Sequence, residues 1–473
     1  MFVGRKLELE DLKNSTKARR ATLIVCRGRR RIGKSRLIEE FGRSFPKFVR
    51  FQGLAPREGI DRKAQLAHFS KTLSREFSLP QLSLSSWSDA FDLLASQCMR
   101  GKILILLDEI SWMAQGDPDF AGRLKIAWDE RFQKNPHLAL VLCGSVSAWI
   151  EKNILRHTAF VGRISHTLTL DELPLPACNV FWGKRAPSVS AMEKFKFLAV
   201  TGGVPRYLEE LDPATSVEEN LATMCFKKSG ILFHDFNAIF QDIFTRRAGT
   251  YRDLVRALVD APLSFSEVCH KIGKSPNGVI TEYLEELELS GFLARDHAYS
   301  PKTLTRAAHP RYRIRDNYLR FYLKYIEPHR DKIEKEIYRL RSVDELRGIN
   351  SIFGLQFENL VLNQLPHVIA GLGIRTQVEN ASPYYQAATQ RRRSCQIDLL
   401  IRTRTALYVG EIKYRQKITA AVIEEVQEKI RRLGRLSDLT IRPFLIHVGP
   451  LAPSIIESDY FDTIVSMEDL LKE

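Results

Sequence analysis

The sequence predicts an α/β fold with more than one domain, and three observations carry that reading. Apolar runs at 21–26, 47–53, 102–107 and 138–143 alternate with helix-like stretches such as 61–77 and 87–99, the pattern of a layered domain with a mainly parallel sheet. A glycine-bounded basic loop, Gly28 to Ser35, follows the first run. From about residue 348 the alternation of strand and helix returns after a long helical stretch. At 473 residues the chain exceeds what one core organises, so two to four domains are expected.

Residues 1–185 hold the first α/β domain, 186–245 a helical section broken at Thr201-Gly202-Gly203-Val204-Pro205, and 246–315 helices followed by a short extended pair. Residues 316–347 read as a charged helical connector. Residues 348–473 form the second α/β domain, with helix 351–365, strands 396–402 and 406–413, helix 420–433 and strand 442–448.

Hydrophobic content of 44% and charged content of 27% are ordinary for globular protein. No run of about 18 apolar residues is present, so no membrane partner is expected. The start, Met1-Phe2-Val3-Gly4-Arg5, lacks a basic region followed by an apolar stretch, which argues against secretion. Seven cysteines lie scattered without a CxxC pair, which suits the cytoplasm and argues against zinc. The net charge of +15 implies a polyanionic partner, most simply nucleic acid, with DNA as first choice. Arg and Lys crowd residues 295–347 and 391–442.

The run Gly28-Arg29-Arg30-Arg31-Ile32-Gly33-Lys34-Ser35 fits GxxxxGKS at every fixed position, and Arg36 opens a helix behind it. Glycines let the backbone curl so that successive N–H groups face phosphate oxygens, and the helix N-terminus adds partial positive charge. Lys34 is placed to reach the β- and γ-phosphates and the Ser35 hydroxyl to ligate Mg²⁺. Such a loop needs a carboxylate for Mg²⁺ and a group to activate water. Ile103-Leu104-Ile105-Leu106-Leu107-Asp108-Glu109 carries two acids out of a buried strand. Asp108 is expected in the Mg²⁺ shell and Glu109 as the group that orients or deprotonates water. The run 138–143 ends in Gly144-Ser145; Ser145 senses a γ-phosphate or simply caps a helix.

Together with this loop, Phe2-Val3-Gly4-Arg5, LLDEISWM, LCGSVSAW and Thr201-Gly202-Gly203-Val204-Pro205-Arg206-Tyr207-Leu208 resemble the archaeal-type ATPases of the STAND/AAA+ lineage over roughly residues 1–320. The resemblance implies an ATP- and Mg²⁺-binding P-loop core over 1–185, a helical lid over 186–245 and a winged helix over 246–315. It also implies that Phe2 and Val3 lie near the adenine, that Pro205 contacts the nucleotide and that Arg206 senses phosphate. Arg163, in Phe160-Val161-Gly162-Arg163, matches the family's Gly-Arg position. It serves either the transferring phosphoryl group, which in trans would require a homo-oligomer, or a lid salt bridge.

Ser264 to Gly273 and Ser275 to Ser290 have helix-turn-helix spacing, with a wing to Ile314. Glu282, Glu285, Glu286 and Glu288 repel phosphate from the second helix, leaving Lys274, Ser275 and Asn277 for base edges. The wing residues Arg295, Lys302, Arg306, Arg311 and Arg313 suit the nucleic-acid backbone. A purely structural extension of the lid is the competing reading.

Near the C-terminus, Gln396-Ile397-Asp398-Leu399-Leu400-Ile401 precedes Leu407-Tyr408-Val409-Gly410-Glu411-Ile412-Lys413. Residues two apart on a strand share a face, so Glu411 and Lys413 project together and Asp398 emerges alone opposite an apolar face. Two carboxylates and a lysine on adjacent strands make an oxygen site for Mg²⁺ or Mn²⁺ beside a scissile phosphate. This Asp-x12-Glu-x-Lys spacing resembles the PD-(D/E)XK nuclease superfamily, without the proline before Asp398, and implies a restriction-endonuclease-like α/β domain. Glu358 is the matching helical glutamate; Arg391-Arg392-Arg393 flank the site and Gln427 is a candidate support. The expectation is an ATP-hydrolysing switch acting on nucleic acid, with metal-dependent phosphodiester cleavage by its C-terminal domain. The alternatives are a nucleotide-controlled DNA-binding regulator with an inactive nuclease-like domain, and an initiator-like DNA loader.

Overall fold

The computed structural model describes residues 2–145, 148–243, 248–374, 376–388, 390, 393–434, 436 and 438–472. The chain divides into two compact units, Met1–Glu172 with Leu289–Gly291, and Leu173–Glu288 with Phe292–Glu473.

The first unit is built on a five-stranded parallel sheet: β1 (Thr22–Gly28), β2 (Lys47–Gln52), β3 (Ile103–Asp108), β4 (Leu138–Ser145) and β5 (Ile164–Leu170), in the order β2-β3-β4-β1-β5. Side chains alternate between two cores, one on each face of the sheet. Leu23, Val25, Ile103, Ile105, Leu107, Leu138, Leu140 and Leu142 enter one. Ile24, Cys26, Leu104, Leu106, Ala139, Val141 and Cys143 enter the other. Burial on both faces is why the central strands read as unbroken apolar runs. Helices Arg62–Glu76 and Trp87–Ser96 help build an aromatic layer in which Phe51 and Phe69 stack at 4.3 Å and Trp87 meets Phe120 edge-on at 4.8 Å. Strand β5 leaves no such mark in the sequence, because its first four residues give it no fully buried face.

In the second unit, helices Ala191–Thr201, Pro205–Leu208, Val217–Phe226 and Ile231–Ile243 follow one another, with Gly202 at φ 59° between the first two. Helices Phe265–Lys271 and Gly278–Leu289 follow, with a small antiparallel sheet of β6 (Leu263–Ser264), β7 (Leu293–Asp296) and β8 (Arg311–Ile314). A second five-stranded sheet, β9 (Val378–Gln386), β10 (Cys395–Thr403), β11 (Ala406–Tyr414), β12 (Thr440–Val448) and β13 (Thr463–Ser466), keeps chain order across the sheet. Its β9–β10–β11 portion is antiparallel and its β11–β12–β13 portion parallel. Helix Ala421–Leu433 lays Val422 and Val426 into the core on this sheet.

The stretch that reads as a charged connector begins instead as core. Asn317–Phe321 and Tyr322–Ile326 bury Tyr318, Phe321, Tyr322, Ile326 and the whole of Arg320. Inside, Arg320 donates to the carbonyls of Ile314 at 3.0 Å and Val259 at 3.4 Å, while its Nε is buried without a hydrogen-bond partner among the described residues. Among the described residues no helix is long and apolar enough to cross a membrane. All seven cysteines are free and buried.

Candidate nucleotide site and C-terminal carboxylate cluster

Parallel strands deliver the phosphate loop to the C-terminal edge of the first sheet, where open α/β sheets bind ligands. Gly28 pairs with Ser145 on one side and Leu170 on the other. A Cβ on Gly28 would stand 2.6 Å from the Leu170 carbonyl oxygen, so this position admits no side chain. The loop closes through left-handed residues, Gly33 at φ 89° and Arg31 at φ 68°. Lys34 is buried and its Nζ donates to the carbonyls of Gly28 and Arg29, both at 3.0 Å. Arg29 pairs with Glu172 at 3.3 Å, Arg30 stands over the Trp112 ring at 5.9 Å, Ile32 is fully buried, and Arg36 is exposed on the first helical turn.

Ser35 Oγ donates to Asp108 Oδ2 at 2.8 Å, so the two oxygens expected around Mg²⁺ are together and their donor set fits a hard cation. Arg50, from β2, donates to the same Asp108 oxygen at 2.6 Å. This partner is not legible in the sequence, where nothing in the spacing relates 50 to 108. Glu109 sits at φ 51°, a strained position for a side-chain-bearing residue, and its Oε2 is buried without a hydrogen-bond partner among the described residues. Burial pushes its carboxyl pKa up, with Lys34 opposing, Asp108 reinforcing and the Ser145 amide opposing. Phe2 packs on the core that holds Ile32, and Val3 is half-buried. Arg5, given no role from the sequence, ties this segment down by donating to the carbonyls of Ile32 at 3.2 Å and Asp171 at 2.5 Å.

Arg163 is held by Asp129 in a two-pronged pair at 2.7 and 2.9 Å, so its partner lies on helix Phe120–Glu130 and not in the lid. It precedes Ile164, which aligns with Leu23, whereas the loop leaves β1 at Gly28. At ~3.3 Å per residue, about 15–20 Å of strand separates Arg163 from the loop of its own chain. Pro205 belongs to the second unit, as the first residue of its short helix, and Arg206 pairs with Glu210 at 2.6 Å.

In the second unit the predicted C-terminal residues do come together. Asp398 on β10 and Glu411 on β11 turn inward, their side chains 9% and 3% exposed, and the Ile412 amide donates to Asp398 Oδ2 at 2.9 Å. Burial, then the Glu411 charge, raises Asp398 to a pKa of about 6. Glu358, on helix Ile349–Leu362, is raised to about 8 by burial and then by Asp398. Lys413 donates to Glu411 Oε1 at 2.7 Å and to Glu425 at 2.5 Å. Burial disfavours the Lys413 ammonium, but these carboxylates outweigh it, so its pKa lies above the ordinary lysine value. Lys429 donates to the other Glu411 oxygen and stands 3.9 Å from Asp398.

Lys429 and Glu425 are additions that the motif spacing does not point to. They lie four apart on helix Ala421–Leu433 and share one side of it. Gln427 turns away and is exposed, because two residues along a helix means a rotation of about 200°. Arg391 and Arg392 lie outside the described residues. Among the described residues no group of three or more His, Cys, Asp or Glu is arranged as a metal cage. The carboxylate oxygens are nonetheless a hard-cation donor set, here neutralised by ammonium groups.

The wing corrects another expectation. Arg313 is buried between Asp296, at 2.7 Å, and Asn359, at 2.7 Å. Arg311 donates to the Pro262 carbonyl at 2.8 Å, Arg306 contacts His297, and Arg295 stands over Tyr312 at 5.7 Å. Asn277 caps its helix by accepting from Ile280 N at 3.0 Å. Burial withdraws Arg313 from solvent, whereas Lys302, Arg306 and Asn277 are exposed and Arg295 and Arg311 are half-buried.

No protein-family model matches the chain. The chain is 22% identical over 387 residues to the uncharacterized protein MJECL04 of Methanocaldococcus jannaschii, covering 79% of this chain and 81% of that protein. It is 51% identical over 41 residues to the uncharacterized ATP-binding protein MJ0423 of the same organism, covering 9% of this chain and 70% of that protein. Among solved structures, the Walker-type ATPase PABY2304 of Pyrococcus abyssi matches 68% of this chain and 96% of its own, with a TM-score of 0.51 and 17% identity. The chain therefore shares the fold of a Walker-type ATPase over about two thirds of its length.

Proposed function

We propose that the chain is an ATP-binding and ATP-hydrolysing switch acting on nucleic acid, DNA first, whose C-terminal α/β fold cleaves phosphodiesters. The observation that carries the reading is the placing of Asp398, Glu411 and Lys413 together on two adjacent strands, with Glu358 on a helix near enough for the Asp398 charge to raise it, in a chain that also carries a phosphate loop.

At the first site Lys34 and the loop amides bind the phosphates, and Ser35 and Asp108 would hold Mg²⁺. Glu109, whose Oε2 has no hydrogen-bond partner among the described residues, takes the proton of the attacking water. At the second, Asp398 and Glu411 would hold Mg²⁺ or Mn²⁺, which would supply Lewis acidity to the phosphoryl oxygens. Lys413 stays protonated there and stabilises the charge that grows on the phosphoryl group as water adds and the ester P–O bond breaks. The proton lost by water ends on the departing alkoxide. One observation favours a second reading, a nucleotide-controlled regulator whose nuclease-like domain only binds: both Glu411 oxygens already hold lysines.

The test is cleavage of labelled single- and double-stranded DNA and RNA with Mg²⁺ or Mn²⁺, with and without ATP. Asp398→Ala and Lys413→Ala are expected to lose cleavage by roughly 100-fold or more while retaining ATP turnover. Lys34→Ala is expected to lose ATP turnover. Cleavage that survives in both C-terminal variants removes the assignment; ATP turnover without cleavage by the parent selects the regulator.

A further inference from the structure

The two basic stretches of the sequence meet in one groove of the second unit. Its walls are the wing turn Ser300 to Lys302, Tyr384 on β9, Arg393, and Arg431 to Leu433 at the C-terminal end of helix Ala421–Leu433, enclosing about 510 Å³. We propose that this groove binds a short run of single-stranded nucleic acid and leads it to the Asp398–Glu411 cluster.

Charge argues for a polyanion. Lys302, Arg393, Arg431 and Arg432 line the groove, and none of its described lining residues is acidic. The acid nearby, Glu428, is shared by Arg431 and Arg432, each at 2.9 Å, so an excess of positive charge remains. Basic residues at a helix C-terminus by themselves serve the helix dipole. Lys302 and Arg393 belong to other segments, and that explanation does not reach them.

Shape and surface argue for a single strand. The walls are fixed: Arg432 donates to the Ser394 carbonyl at 3.0 Å, and Arg402 to the Pro301 carbonyl at 3.3 Å. A volume of this size takes one or two nucleotides, not the width of a duplex. Tyr384 and Leu433 add the ring and apolar surface on which unpaired bases stack beside a basic track.

Continuity argues for the same substrate as the cluster. Lys429 holds Glu411, and Arg432 lies three residues on along the same helix, about 4.5 Å further along its axis. Cys395, which opens β10 three residues before Asp398, meets the Lys429 carbonyl at 3.6 Å. Arg432, in the groove wall, thus stands about one helical turn along the helix from Lys429, which holds Glu411, a spacing of one or two nucleotides.

The proposal rests on the C-terminal site acting on nucleic acid, and the experiment separates the two. Binding of a short fluorescent oligothymidylate is followed by anisotropy over a range of salt in EDTA, where no metal-dependent cleavage occurs. The double variant Lys302→Glu/Arg393→Glu is expected to bind roughly tenfold or more weakly, with a salt slope smaller by about 0.7 for each phosphate no longer neutralised. Lys332→Glu/Lys335→Glu, which makes the same change in net charge away from the groove, is expected to bind as the parent does. Parent-like binding by the groove variant, an equal loss in the control variant, or equal affinity for a blunt duplex each overturns the proposal. Groove-dependent binding by a parent that never cleaves would uphold the groove and retire the nuclease reading.

Discussion

Glu358 is a carboxyl group placed where its charged form is disfavoured, and this has a pH signature. Burial and the Asp398 charge raise it to about 8 in the folded chain, against an ordinary value of 4.5. Between those values the folded state holds a proton that the unfolded state has lost. The resulting stability is fully present below the ordinary value and lost as pH rises through about 8. Asp398, raised to about 6 against 3.8, acts in the same direction over a lower range. In metal-free buffer the parent is expected to lose about 2 kcal/mol more than Glu358→Gln between roughly pH 6 and pH 8. Urea unfolding at the two pH values measures this, and parallel behaviour of the two proteins would refute it. Asp398, Glu411 and Lys413 are legible in the sequence because a strand has a period of two, and Glu358 because a charge on an apolar helical arc needs a reason. Lys429, Glu425 and Arg50 are not, because the rotation of a helix against a sheet and the order of strands leave no mark in residue spacing.

Helix Ile349–Leu362 joins that carboxyl to a second set of interactions. Its Asn359 accepts from Arg313 at 2.7 Å and donates to the Ile314 carbonyl at 2.6 Å and to Asn317 at 3.0 Å. Gln356 donates to the Asn317 carbonyl at 2.7 Å, and Asn317 reaches the Leu198 carbonyl at 3.4 Å on helix Ala191–Thr201. A chain of buried amides thus runs from the helix before the Gly202-Gly203 break to the helix of Glu358. Asn359→Leu nearly keeps the volume but removes one acceptor of the Arg313 guanidinium and a donor to the Ile314 carbonyl, at a cost of about 2–4 kcal/mol. Denaturant unfolding of the full chain checks this; a loss under about 0.5 kcal/mol would mean that the network carries little. The same packing explains why 316–347 reads as solvated: its first charges are partners in the core, and spacing does not distinguish a paired charge from a hydrated one. Strand β9 is silent in the sequence for a related reason. It is an edge strand in which only Pro383 is buried, so no apolar alternation marks it.

At the scale of the whole molecule, each proposed site lies within one unit: Gly28 to Ser35, Asp108 and Glu109 in the first, Glu358, Asp398, Glu411 and Lys413 in the second. The central strands of both units are legible in the sequence, since they must be apolar wherever both faces are covered. Communication between the sites is not, because it is a free energy and not a pattern. A switch requires it, and linkage makes it measurable: if nucleotide changes the affinity for nucleic acid by some factor, nucleic acid changes the affinity for nucleotide by the same factor. Calorimetric titration of a non-hydrolysable ATP analogue with Mg²⁺ is therefore expected to give an affinity about 5- to 150-fold different with and without bound oligonucleotide, the range of ordinary allosteric coupling. The charge-reversal variant Lys302→Glu/Arg393→Glu is expected to show the oligonucleotide-free value in both cases, since it binds the effector weakly. Saturating nucleotide alone is expected to raise the thermal transition of the first unit by about 5–10 °C, and Lys34→Ala to abolish that rise. If nucleotide affinity is indifferent to oligonucleotide while both ligands bind, the two sites are independent modules on one chain, and ATP turnover is not the control on the C-terminal cluster.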